Sequence, residues 1–201
     1  NYRTLEVDQA FSLSQIDPRA LVDLRETGEC TFTVDEAFFD LFYPGHYRRR
    51  IKAVRLTIPC ITGPFVNVSA TLDLLASQIR TKVDPNASDP TTGLVDVPPS
   101  RSVSIATSTA QNDAGVFELS FRDERYMPFE GLGAVNSEWS LALPKTFKQF
   151  DYQTINDVIL SISYTAEHDA AWRKRVETKL GDLESTLVEH FRSEPARRLF
   201  S

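Results

Sequence analysis

The ten residues "VNVSATLDLL" alternate without a break: Val66, Val68, Ala70, Leu72 and Leu74 fall on one side, and Asn67, Ser69, Thr71 and Asp73 on the other. A period of two over this length is the mark of a strand with one buried face, because successive side chains of an extended backbone point to opposite sides. The same pattern recurs in "CTFTV", "IKAVRLTIPC", "SVSIATS", "GVFELSF", "SEWSLAL" and "DVILSISYT", each bounded by turn formers. In these runs Cys30, Phe32 and Val34 share a face, as do Val54, Leu56, Ile58 and Cys60, and Val158, Leu160, Ile162 and Tyr164. About seven such strands predict a mainly β fold, an antiparallel two-layer β-sandwich.

Helical punctuation frames this β region. In "SQIDPRALVDLRETGEC", Asp17 is a candidate N-cap, Pro18 the first helical residue and Gly28 the stop, with Leu21 and Leu24 facing the core. After Ala166 the period returns to that of a helix, and Trp172, Val176, Leu180, Leu183, Leu187 and Phe191 form one stripe. A helix of about 22 residues spans roughly 33 Å, more than a small sandwich needs as cover. The stripe therefore has two open uses, packing on its own domain or an oligomer or interdomain contact. The chain divides into a β-sandwich at 1–166 and an amphipathic helical extension at 167–201. Within the sandwich the Pro- and Asp-rich segment from Lys82 to Pro99 shows neither period and reads as a long, mobile surface loop.

Chemistry is sparse. The three histidines, His46, His168 and His190, stand at no ligand spacing, so no metal or cofactor is expected. No nucleophile elbow and no phosphate-cradling glycine loop occurs. Carboxylate pairs such as Asp123 with Glu124 or Glu130 are what chance supplies in a chain with 28 acids. A net charge of −6 argues against a sequence-independent hold on nucleic acid. Arg48, Arg49, Arg50 and Lys52 read as a solvated strand end, with Phe42, Tyr43 and Tyr47 packed beside them. Cys30 and Cys60, on apolar strand faces, read as buried free thiols. Asn1 and the closing "ARRLFS" read as the ends of a piece cut from a longer polypeptide.

The stretch "FRDERYMPFEGLGAVNSEW" poses the sharpest question. Phe117, Leu119 and Phe121 alternate inward, and continuing that parity would bury Asp123 and Arg125, so the strand must end or bulge near Arg122. Two readings stay open: a structural corner closed by Tyr126, Pro128 and Phe129 with a turn at Gly131 and Gly133, or an exposed binding surface.

Several long segments, "LRETGEC", "YPGHYRRRIKAVRLTIPCITGPFVNVSATLDLL", "GVFELSFRDERYMPFEGLGAVNSEWSLALP" and "FDYQTINDVILSISYTA", closely resemble the C-terminal, TcB-binding region of Tc toxin complex A subunits. The resemblance runs from about Phe11 to Ala166. It implies a non-enzymatic protein-docking module of a secreted toxin component. The A subunit of that family is a pentameric translocation machine, and this region docks the β-propeller of the B subunit. The remainder of the chain's own A subunit is a second implied partner. The candidate docking residues are Arg122, Glu124, Arg125, Tyr126 and Glu130, chosen because Arg and Tyr anchors dominate interfaces. The helix beyond Glu167 departs from the insecticidal members' pattern. A carbohydrate-binding or interdomain module is the alternative, with Trp139 and Trp172 both expected to be buried.

Overall fold

The computed structural model describes residues 4–61, 67–99, 103–109, 116–120, 128–146, 148 and 150–193. Among the described residues, nine strands form two antiparallel sheets. β1 (Leu5–Ser12), β9 (Ile159–His168), β3 (His46–Pro59) and β7 (Val116–Ser120) make the first sheet, in that spatial order. β2 (Glu29–Val34), β8 (Val135–Ala142), β4 (Asn67–Arg80) and β5 (Leu94–Asp96) make the second, and β6 (Val103–Thr109) also pairs with β4. The expected strands are present. β1 has a weaker sequence signal and was not anticipated; it pairs along its whole length with β9, from Leu5 opposite Ala166 to Ser12 opposite Ile159.

The two inner faces supply the core. Val54, Leu56, Ile58, Leu160, Ile162 and Tyr164 from one sheet meet Cys30, Phe32, Val34, Leu72, Leu74, Trp139 and Leu141 from the other, all buried. Both cysteines are free, and burial pushes their thiols up to about 12 for Cys30 and about 11 for Cys60, which leaves little nucleophilic thiolate.

α1 (Leu13–Ile16) is a single turn, and α2 (Pro18–Thr27) follows the punctuation read from the sequence. The Asp17 side chain accepts from the Ala20 amide, and Gly28 ends the helix at φ +80°, a conformation that costs glycine little. α3 (Glu36–Phe42) was not anticipated. Seven residues give too short a helical period to register, but Phe39 is fully buried between the rings of Phe11 at 4.8 Å and Tyr164 at 5.4 Å.

The arginine run departs from the expectation of a solvated strand end. The β3–β9 register shifts between Tyr47 and Arg50, and Arg48 takes a φ of +51°. This bulge re-aims the side chains, so Arg49 is 1% exposed while Arg48 and Arg50 face outward. The neighbouring aromatics split: Tyr47 is buried, but Phe42 is 67% exposed and Tyr43 38%. The 82–99 segment is not structureless either, because β5 within it pairs with the end of β4.

α4 (Ala170–Ser193) begins immediately beyond β9, its first turn capped by Asp169, whose side chain accepts from the Trp172 amide at 2.7 Å. Trp172 and Val176 are buried on the domain, and Leu183 is 52% exposed. The side chains of Leu187 and Phe191 lie outside the described residues. No helix among the described residues is long and apolar enough to cross a membrane.

Candidate functional site

Of the five residues chosen as docking anchors, Arg122, Glu124, Arg125 and Tyr126 lie outside the described residues. Glu130 is exposed on a turn held from both sides: the Gly131 amide donates to the Ile51 carbonyl at 2.8 Å, and Arg50 donates to the Gly131 carbonyl at 3.1 Å. Phe129 is buried edge-on to Trp139, ring centroids 5.2 Å apart. Gly133 passes so close to β4 that a Cβ there would sit 2.2 Å from the Gln78 carbonyl oxygen.

A second constellation lies where α3, the end of β4, the 82–93 loop and α4 meet. Sequence reasoning did not find it, because its members are far apart in the chain. Arg49, delivered inward by the β3 bulge, donates to Asp40 at 2.7 Å and to the Tyr43 carbonyl at 3.1 Å, with Glu36 at 3.7 Å. Its guanidinium also lies 5.5 Å from the Phe39 ring. Arg80, 4% exposed, grips both carboxylate oxygens of Glu36, at 2.9 and 2.6 Å. Burial raises the Asp40 carboxyl above its usual range, against the pull of Arg49.

The backbone is strained at the same place. Asn136 has a φ of +45°; its side-chain carbonyl accepts from the Glu36 amide at 2.9 Å and so caps α3, while its NH₂ donates to Gln78 at 2.7 Å. The β4–β8 register is irregular beside it, between Ala76 and Gln78. Non-glycine residues at positive φ cost energy and persist only where the surroundings over-determine them.

Two arginines bind the loop. Arg80 donates to the carbonyls of Pro90 and Thr92, and Arg175 of α4 donates to those of Asp84, Pro85 and Ala87. Between these arginines sits Trp172, with Arg80 4.8 Å and Arg175 5.5 Å from its ring centroid. Such placements are favourable cation–π contacts, stronger when desolvated. The seal is incomplete: a cavity of about 310 Å³ remains, lined among others by Ala37, Arg80, Leu94, Val176, Leu180 and Leu183. Among the described residues no group of three or more His, Cys, Asp or Glu could hold a metal ion.

His46 and His168 face each other across β3 and β9, rings 5.9 Å apart and edge to face, and Tyr43 stacks on His46 at 5.4 Å. Burial, with help from Arg49 and His168, lowers the His46 pKa to about 4. A buried imidazole kept neutral by its surroundings and packed against two rings is a structural side chain in this setting.

The fold and this site define a β-sandwich whose buried Arg49 and Arg80 hold its own α3, 82–93 loop and α4. The chain belongs to the family of Tc toxin complex TcA C-terminal TcB-binding domains, whose sequence model matches residues 1–166. A toxin subunit of Yersinia entomophaga, YenA2, is 34% identical over 180 residues, covering 83% of this chain and 13% of the relative. The solved TcaA-TcaB structure of Yersinia pseudotuberculosis aligns at 24% identity and a TM-score of 0.49, covering 82% of this chain and 10% of that one. The chain thus spans about an eighth or less of the length of these relatives. The matched residues end before α4.

Proposed function

We propose that this chain is a non-enzymatic docking module of a Tc toxin A subunit and binds a B-type subunit of the toxin complex. The observation that carries the reading is the family match across residues 1–166, which takes in the sandwich as far as Ala166, two residues short of the end of β9. In this reading the partner surface is the B subunit's β-propeller, and the chain works within a secreted, pentameric translocation component. The corner at Arg122, Glu124, Arg125, Tyr126 and Glu130 supplies anchors, and the outer part of α4 contacts another part of the assembly. Trp139 and Trp172, at 0% and 6% exposed, are withdrawn from any sugar-stacking role, which weighs against a carbohydrate-binding module.

Calorimetric titration with the B and C subunits of the same source tests this. One-to-one binding that weakens about tenfold or more on changing Arg125 and Tyr126 to alanine is the expected result. Absence of binding at tens of micromolar protein would sink the docking reading.

A further inference from the structure

We infer that the face formed by α3, the end of β4 and the 82–93 loop is a protein-docking surface which α4 occupies in cis, and that the B-type partner engages it by displacing the helix. The inference rests on the docking reading above and adds a second face to it.

Independent features converge there. Among the described residues, the two non-glycine positions with positive φ, Arg48 and Asn136, flank this face, and the register shifts at Tyr47/Arg50 and Ala76/Gln78 lead into it. Bulges and stored strain gather where a fold must aim particular side chains. What they aim is a set of charged groups: Arg49, held by Asp40 and the Tyr43 carbonyl, and Arg80, held by Glu36. Trp172 of α4, outside the residues that the family model matches, covers the Arg80 guanidinium. The cover that α4 gives is partial, since the cavity stays open between it and the domain and Leu183 remains half exposed.

The way α4 binds states the chemistry the face accepts. Trp172 lies on the Arg80 guanidinium, and Arg175 reaches three loop carbonyls. Glu36 and Asp40 on the rim are already paired with Arg80 and Arg49, so the contacts that α4 makes there are one ring on a cation and one guanidinium on carbonyls. A partner segment that fits therefore carries one aromatic anchor for Arg80 and, three residues on, an arginine for the loop carbonyls. As long as α4 occupies the face, the affinity of such a segment is reduced by the fraction of chains in which the face is free.

The test is to titrate the whole chain, and its Arg175→Gln and Trp172→Ala variants, with the B-type subunit by calorimetry, alongside circular dichroism to confirm folding. Arg175→Gln removes the loop bonds but leaves the buried ring, so it holds the test open if Trp172→Ala fails to fold. Both variants are expected to bind at least about fivefold more tightly than the parent chain, and a synthetic peptide of residues 168–186 in excess is expected to reverse the gain. Equal or weaker binding by folded Arg175→Gln overturns the cis-cover inference and leaves the docking reading intact. If no form binds at all, including the parent, the docking reading falls and takes this inference with it.

Discussion

The guanidinium of Arg80, at the end of β4, lies 4.8 Å over the indole of Trp172 in α4, although 92 positions separate them in the chain. Arg80 at the same time holds Glu36 of α3 and two loop carbonyls. One buried cation thus joins two helices, a strand and a loop, and Trp172 is the side chain through which α4 meets it.

Trp172→Ala is expected to lower stability by about 3 kcal/mol or more, as truncation of a buried aromatic does. Trp172→Phe, which keeps a ring over Arg80, should recover most of the loss. Chemical denaturation of the three chains measures both. A change under about 0.5 kcal/mol for the alanine variant would mean that α4 is not held by this contact.

Arg49 and Asp40 are a buried pair, and removing one leaves the other charged and enclosed. Arg49→Met alone should cost about 3–5 kcal/mol, and the double change with Asp40→Leu should cost distinctly less, because the desolvation of both charges is then relieved. A double-mutant cycle by urea unfolding reads the coupling. Additive losses would show that the two act separately.

His46 ties stability to pH. Its folded pKa, about 4, lies below the ordinary 6.5, so the unfolded chain takes up the proton first on acidification. The contribution is fully present above about pH 6.5 and is lost as pH falls towards 4. Comparing Tm against pH for the parent and His46→Gln should show a shallower decline in the variant over that window. Parallel curves would exclude His46 as the group responsible.

Two glycines predict opposite outcomes for the same substitution. A Cβ at Gly133 meets the Gln78 carbonyl oxygen at 2.2 Å and its carbon at 2.6 Å, both backbone, so Gly133→Ala forces β4 and the turn apart. The expected cost is about 1–3 kcal/mol. Gly181 faces open space within α4, and Gly181→Ala should strengthen the helix by roughly 1 kcal/mol. Thermal unfolding of the two variants, one lowered and one raised, checks the pair.

Much of the sandwich was legible before any coordinates. "VNVSATLDLL" could be read as a half-buried strand because a period of two is local, written in adjacent residues. Asp17, Pro18 and Gly28 marked α2 for the same reason, since capping chemistry acts within one turn. β1 and α3 escaped because each is held by distant partners, β1 by the β9 ladder and α3 by the burial of Phe39.

The site divides along the same line. Sequence alone determined the two-layer β architecture, the helix after Ala166 and the family resemblance, all carried by local period or by ordered motifs. Only the tertiary structure decided that Arg49 turns inward while its neighbours do not, and that Arg80, Glu36, Trp172 and Arg175 meet. The physical reason is that a bulge reverses side-chain parity by inserting a residue against a partner strand. A buried charge, in turn, is tolerable only where distant elements bring its counter-charge and carbonyls within bonding distance.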